Sequence, residues 1–154
     1  MARPTAAMLV IGDEVLSGRT RDANTGHLAG VLTAMGIALR EARVCPDEAP
    51  QIVRHVNDLR QAYDCVFTSG GIGPTHDDIT ADSVAQAFGV SIGVREDARA
   101  ILAAYYASPA DLNEARLRMA RIPDGASLIL NPVSQAPGFR LGNVFVMAGV
   151  PAIF

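Results

Sequence analysis

The residues most able to do chemistry lie in one glycine-rich stretch, from Thr68 to Thr80, which also contains two adjacent carboxylates. Glycines allow backbone N–H groups to approach a ligand without interference from Cβ, and they permit positive φ. Free N–H groups in such a loop favour an anion, most often a phosphate. We therefore expect a phosphate-binding loop formed by Ser69, Gly70, Gly71, Gly73 and Thr75.

The two acids, Asp77 and Asp78, restrict what this loop can bind. A carboxylate about 4 Å from a phosphate charge costs roughly 4 kcal/mol at an effective dielectric near 20, whereas a helix terminus contributes only about 0.3–1 kcal/mol. A divalent cation between the phosphate and the carboxylates turns the net repulsion into attraction. Carboxylate and phosphate oxygens are ligands that suit Mg²⁺. We expect Asp77 and Asp78 to hold Mg²⁺ or another divalent metal. The alternative is that Asp77, Asp78 or Thr80 only caps the following helix.

The residues around the loop predict the elements that position it. Residues 63–67 form a short apolar run with β-branched and aromatic character, typical of a buried parallel strand. Residues 80–88 predict a helix with Val84, Ala87 and Phe88 on one face. The loop then lies at the carboxyl end of a strand and the amino end of a helix, where open α/β sheets bind ligands.

Further acids follow two other predicted strands. Asp13 and Glu14 come after the continuously apolar strand at 6–12, and Asp47 comes after the half-exposed strand at 37–45. The carboxyl ends of parallel strands share one edge of a sheet, so these acids could face the same ligand or metal. For Asp13 and Glu14, solvated turn carboxylates are an equally good interpretation.

The later part of the chain departs from strand–helix alternation. Residues 96–106 and 111–121 predict two adjacent helices, which suggests a lid or an oligomer contact. On the second helix, Arg116, Arg118 and Arg121 could serve a phosphate, although a solvated helix face is the commoner reason for such a pattern.

The last runs, at 127–130 and 138–147, predict strands that end in an antiparallel hairpin at the sheet edge. Gly149, which follows the last strand, is a further candidate ligand-binding residue. The chain ends at Phe154, where a helix would be expected to start, and we interpret this as truncation of a single domain spanning residues 1–154.

Composition restricts the class of protein. A length of 154 residues predicts one domain, and a net charge of −3 without a basic block argues against nucleic-acid binding. There is neither an apolar run of about 18 residues nor a signal-peptide pattern, so we expect a cytoplasmic protein without a membrane span. Cys45 and Cys65 lack metal or redox spacing and are expected to be reduced.

The sequence resembles the MoaB/Mog-type molybdopterin-binding domain over almost its whole length. Its closest form looks like the N-terminal domain of CinA-like (competence/damage-inducible) proteins. The motifs that carry the resemblance are Gly12-Asp-Glu-x-Leu-x-Gly18, Asn24, Ser69-Gly-Gly-x-Gly-Pro-Thr75-x-Asp-Asp-x-Thr80, Asn131-Pro132 and Gly149-Val-Pro151. The resemblance implies a three-layer α/β/α sandwich with a mostly parallel sheet, assembled as a dimer or trimer.

The resemblance also implies functions. In the Mog branch the glycine loop holds the pterin phosphate, and two aspartates assist Mg-dependent adenylylation of molybdopterin; their positions match Asp47 and Asp78, the candidate catalytic residues. In the CinA-like branch the same site is associated with metal-dependent cleavage of ADP-ribose-type pyrophosphates. Asp77 favours the CinA-like branch, because members of the Mog branch usually have a basic residue at this position. The amidohydrolase domain of CinA is absent, so deamidation of nicotinamide mononucleotide is not expected.

Together these features predict metal-dependent binding of a phosphorylated pterin or an adenine-nucleotide pyrophosphate. A reaction there would be in-line attack at phosphorus, helped by charge neutralisation. His76, beside the acids, could carry a proton, although a surface histidine is the commoner case. The alternative function is a non-catalytic binding or regulatory module that keeps the pocket without turnover.

Overall fold

The computed structural model describes residues 3–106, 108–130 and 137–148. Its eight strands are β1 (Thr5–Ile11), β2 (Ala38–Cys45), β3 (Cys65–Ser69), β4 (Ile92–Val94), β5 (Arg121–Pro123), β6 (Ser127–Ile129), β7 (Gly138–Leu141) and β8 (Val144–Met147). Its α-helices are α1 (Asp13–Leu16), α2 (Asn24–Ala34), α3 (Ala49–Ala62), α4 (Thr80–Phe88), α5 (Glu96–Tyr105) and α6 (Glu114–Leu117), with 3₁₀ turns at Pro109–Asp111 and Arg118–Ala120.

Six strands form the main sheet in the order β2-β1-β3-β8-β7-β6. The pairs β1–β2, β1–β3 and β3–β8 are parallel, while β7 runs antiparallel to both β8 and β6. The predicted mostly parallel sheet with an antiparallel edge is therefore confirmed. The carboxyl ends of β1, β2 and β3 lie side by side, so the loops that follow them share one edge.

Strand β1 shows why the fold has three layers. Ala7 and Leu9 pack in the larger core cluster, which includes Ile52 of α3 and Val84 of α4. The alternate residues, such as Met8, belong to a second cluster with Leu28 and Leu32 of α2. Because successive side chains of a strand point to opposite faces, a strand that is apolar throughout requires cover on both.

One predicted helix, at 111–121, is wrong. Asn113 is extended, and its side chain accepts a hydrogen bond from the Arg116 amide at 2.9 Å, so helix α6 begins after it and is only four residues long. The end of the predicted helix is also wrong, because Arg121–Pro123 is strand β5 and pairs antiparallel with β4 in a separate two-stranded sheet. This pairing joins residues about thirty positions apart, which local periodicity does not show.

The segment after β1 contains a helical turn, α1. Asn24, which belongs to the family motif, is the first residue of α2. The Asp22 carboxylate accepts hydrogen bonds from the amides of Asn24 (3.0 Å) and Thr25 (3.3 Å) at the start of this helix.

Within the described residues, no helix has the length and apolar character needed to cross a membrane. Both cysteines are free thiols, as predicted. Burial is the main reason that the pKa of the Cys45 thiol is raised to about 11, and the Asp47 charge adds to it. Cys45 is therefore a protonated core residue at neutral pH.

Candidate functional site

The glycine loop leaves β3 in a conformation that requires glycine at two positions. Gly70 and Gly71 have φ of +97° and +74°. A Cβ at Gly70 would collide with the Ile11 carbonyl oxygen, and one at Gly71 would collide with the Thr80 hydroxyl. The loop can therefore pass this close to β1 and α4 only without side chains at these positions.

Thr80, which is fully buried, holds the loop against helix α4. Its hydroxyl donates to the Gly70 carbonyl and its amide donates to the Gly71 carbonyl, both at 3.0 Å. On the other side, the Gly70 amide donates to the Met147 carbonyl at the end of β8 (3.2 Å). The loop is thus fixed at both ends, between the sheet and the helix.

Between these fixed points, the amides of Gly71, Ile72 and Gly73 have no acceptor among the residues that the structure describes. All three residues are half-buried. Backbone N–H groups that point out of a loop without protein acceptors can donate to a bound anion. This arrangement is what an anion-binding loop needs.

Asp78 closes the loop on itself. Its carboxylate accepts hydrogen bonds from the amide and the hydroxyl of Thr75, both at 2.9 Å. Helix α4 begins at Thr80 after Ile79, without a capping hydrogen bond from any described side chain. The alternative that Asp77, Asp78 or Thr80 serves to cap this helix is therefore wrong.

The acids that follow β1 and β2 bind each other's backbone. The Asp13 amide donates to the Asp47 carboxylate at 3.0 Å, and the Asp47 amide donates to the Asp13 carboxylate at 3.2 Å. Partial burial raises the pKa of Asp47 above its usual value, and the charges of Asp13, Glu14 and Asp78 raise it further against the opposing hydrogen bond from Asp13. These acids are thus close enough to interact electrostatically.

One open cavity of about 250 Å³ brings the predicted acids together. We call it the acid cavity; its lining is Ile11, Asp13, Glu14, Arg19, Asp47, Gly71, Thr75, Asp77 and Asp78. All five acids predicted from three separate loops thus face the same space as Gly71 and Thr75. Arg19 was not predicted, although its place just after the Gly12–Gly18 motif could have suggested it.

The other predicted residues lie around this cavity rather than in it. Ser69 and Gly70 line a separate, smaller cavity with Glu14 and Asn24, whereas Gly73 lines a third. Gly149 falls outside the described residues, as do Asn131 and Pro132. The His76 side chain is 85% exposed and lies 3.4 Å from Asp77. It is not part of the acid cavity lining, which agrees with a surface histidine.

The acid cavity offers five carboxylates, whose oxygens are the ligands that a hard divalent cation prefers, against one basic lining residue, Arg19. In the described part of the chain, however, no three Asp, Glu, His or Cys side chains are close enough together to form a ready-made metal cluster. The acids therefore surround a space that suits a cation without being preassembled around one.

The sequence matches a known protein family over most of its length. The profile of the family described as "Probable molybdopterin binding domain" matches residues 7–154. The chain belongs to this family. A CinA-like protein of Desulfosudis oleivorans is 35% identical over 95% of the chain and 37% of its own length. A probable FAD synthase of Caenorhabditis elegans is 38% identical over 97% of the chain and 33% of its own length.

Solved structures of the family share the fold. The protein CinA from Thermoplasma acidophilum, described as of unknown function, superposes with a TM-score of 0.91 at 34% identity, covering 98% of this chain and 91% of that one. MoaB from Thermus thermophilus, described as a molybdopterin biosynthesis enzyme, superposes with a TM-score of 0.60 at 18% identity, covering 96% and 82%. These neighbours confirm the predicted three-layer architecture.

The chain spans only part of its curated relatives. It covers 58% of a Metallosphaera sedula protein that is 37% identical to it, and smaller shares of the CinA-like and FAD synthase relatives. The activities of those longer proteins can therefore be assigned to this chain only as a proposal.

Proposed function

We propose that this domain binds a phosphorylated pterin or an adenine-nucleotide pyrophosphate in a divalent-metal-dependent manner, and that it hydrolyses the pyrophosphate. The observation that carries the proposal is the juxtaposition of unpartnered loop amides and carboxylates around one cavity. The amides of Gly71, Ile72 and Gly73 favour an anion, whereas the five acids disfavour one. A ligand phosphate is compatible with both only when a cation neutralises the acids.

Each part of the chain has a role in this proposal. The loop amides bind the phosphate, while Asp77, Asp78, Asp13 and Glu14 are the groups that would hold Mg²⁺ or another divalent cation. The cation supplies charge neutralisation. Asp47, with its raised pKa, orients the attacking water and accepts its proton. Attack forms a new P–O bond and breaks the bridging P–O bond, so ADP-ribose and water give AMP and ribose 5-phosphate.

The two ligand classes have separate support. The family description, molybdopterin binding, supports the pterin. Asp77 supports the nucleotide, because the Mog branch usually carries a basic residue at the corresponding position. A homo-oligomer and a cytoplasmic location stay predictions from the sequence.

A non-catalytic binding module is the second candidate. It is favoured by the lack of a preassembled metal cluster within the described residues and by the hydrogen bonds that already engage the Asp78 carboxylate. Such a module would bind molybdopterin tightly and leave pyrophosphates intact.

Incubation with ADP-ribose and Mg²⁺ or Co²⁺, followed by chromatographic detection of AMP, separates the candidates. We expect AMP release by the wild-type protein and a loss of roughly 100-fold or more in Asp78→Asn, since one metal-facing charge disappears. Asp124→Asn, in an exposed turn away from the cavity, is the matched control and should retain full activity. If the wild-type protein binds molybdopterin but releases no AMP, the binding module is the correct description.

A further inference from the structure

Arg19 is the one basic residue in the lining of the acid cavity, where it faces five acids. The backbone on both sides of it is fixed to the turn after β1. The Gly18 amide donates to the Val15 carbonyl at 3.2 Å, and the Thr20 amide donates to the Glu14 carbonyl at 3.0 Å. Gly18 has φ of +83°, a conformation that favours glycine. These contacts place Arg19 at the cavity.

The side chain of Arg19, unlike its backbone, is uncommitted. It is exposed and forms no ion pair or hydrogen bond with any residue that the structure describes. Elsewhere, arginines beside acids are paired, with Arg43 lying 2.6 Å from Glu41 and Arg121 lying 2.6 Å from Asp82. The guanidinium of Arg19 is therefore available to a ligand in the acid cavity.

The opposite charges in this cavity act differently on the two components of a metal-bound phosphate. The carboxylates attract a bare divalent cation, whereas Arg19 repels it. The carboxylates repel a phosphate group, whereas Arg19 attracts it. A cation that is accompanied by a phosphate satisfies both signs of charge at once. The cavity of about 250 Å³ has room for both.

We propose that Arg19 makes the site selective for a divalent cation that is accompanied by a phosphate group, against the bare cation. The proposal rests on the proposed function, since it takes the acids as the cation site and the glycine loop as the phosphate site. Arg19 weakens the binding of the cation alone and strengthens the binding of the phosphate. Its planar guanidinium donates paired hydrogen bonds to phosphate oxygens, which a lysine ammonium does not.

The test measures the two ions separately on the whole chain. Binding of Mn²⁺ alone is followed by the electron paramagnetic resonance signal of the free ion, and binding of inorganic phosphate at saturating Mg²⁺ is followed by calorimetry. Arg19→Gln should tighten Mn²⁺ binding by about 3- to 10-fold and weaken phosphate binding by about 3- to 10-fold. Damage to the fold would instead weaken both.

Two further variants separate the local charge from other effects. Arg40→Gln makes the same change in net charge at an exposed position of β2 that does not line the acid cavity, and it should change neither affinity. Arg19→Lys keeps the charge without the paired donors. It should bind Mn²⁺ like wild type and bind phosphate more weakly than wild type, and it serves as the test variant if Arg19→Gln does not fold.

The outcomes distinguish this proposal from the proposed function. If the wild-type protein binds both ions, but Arg19→Gln changes both affinities in the same direction or changes neither, the role of Arg19 is wrong while the proposed function stands. If the wild-type protein fails to bind Mn²⁺ or phosphate at millimolar concentrations, both proposals are wrong.

Discussion

At the residue scale, the site depends on acids that are held close together despite their repulsion. Asp13 and Asp47 lie 34 positions apart in sequence, yet each amide donates to the other's carboxylate. These hydrogen bonds hold the loops after β1 and β2 in one geometry. The electrostatic cost of this arrangement is visible in the pKa of Asp47. Burial and the neighbouring charges of Asp13, Glu14 and Asp78 raise that pKa. The electrostatic strain of the ligand-free site should therefore be measurable.

A pH series tests this strain. Because folding raises the pKa of Asp47, the folded chain holds its proton more tightly than the unfolded chain does. The ionised carboxylate of Asp47 therefore destabilises the folded chain. The effect is absent below the unfolded pKa of about 3.9, grows as the pH rises, and is complete above the folded pKa. Asp47→Asn keeps an oxygen acceptor for the Asp13 amide and should raise the free energy of unfolding at pH 7, with the gain disappearing near pH 3.5.

Urea unfolding of both proteins between pH 3.5 and 8 measures the difference, with Asp124→Asn as a control whose effect should vary less with pH. A less stable Asp47→Asn protein at pH 7, or a difference that does not change with pH, would contradict the assigned electrostatics.

At the element scale, the glycine loop is a connection that Thr80 fastens to the start of helix α4. The Thr80 hydroxyl is the only described side-chain donor to the Gly70 carbonyl, and the contact is fully buried. Gly70 and Gly71 make this approach sterically feasible. Loop geometry and helix packing are therefore coupled through one side chain.

Thr80→Val, which keeps the branched shape and removes the hydroxyl, tests this coupling. Leaving the Gly70 carbonyl without its partner should lower stability by about 1–3 kcal/mol. The melting temperature should fall by about 2–4 °C for each kcal/mol. Thr33→Val, at an exposed position of α2, is the matched control and should melt like wild type. Equal melting temperatures for Thr80→Val and wild type would show that the hydroxyl does not fasten the loop.

Sequence patterns predicted the elements that carry their own periodicity and missed those made by distant contacts. The apolar run of β1 and the helix at Thr80–Phe88 were confirmed. The helix predicted at 111–121 is shorter because Asn113 is extended before α6, and because a 3₁₀ turn (Arg118–Ala120) and strand β5 follow it. Strand β5 was missed because it is three residues long, contains Pro123 and exists only through its pairing with β4.

The site shows the same division. Parallel strands with acids at their carboxyl ends predict that Asp13, Asp47 and Asp78 face one space, and all three line the acid cavity. The reciprocal bonds between Asp13 and Asp47, and the pairing of Asp82 with Arg121 rather than Arg118, depend on atomic positions. No spacing in the sequence contains that information.

At the scale of the whole molecule, the protein offers little general attraction to an anionic ligand. Its net charge is −3, and its 13 basic residues do not form a block. Any binding of an anion would therefore have to come from local groups, namely the loop amides and a cation, rather than from the overall field. These groups gather at the carboxyl edge of the parallel strands, where the topology of the sheet brings the three loops together.

The most direct measurement is an NMR titration of the ¹⁵N-labelled chain with inorganic phosphate in the presence of Mg²⁺. The account predicts saturable shifts of the amide resonances of Gly71, Ile72 and Gly73, because these are the donors left without acceptors within the described residues. The Gly89 amide, which donates within the end of α4, should not move and serves as an internal reference. Unchanged resonances for the three loop amides at saturating phosphate would contradict the central claim.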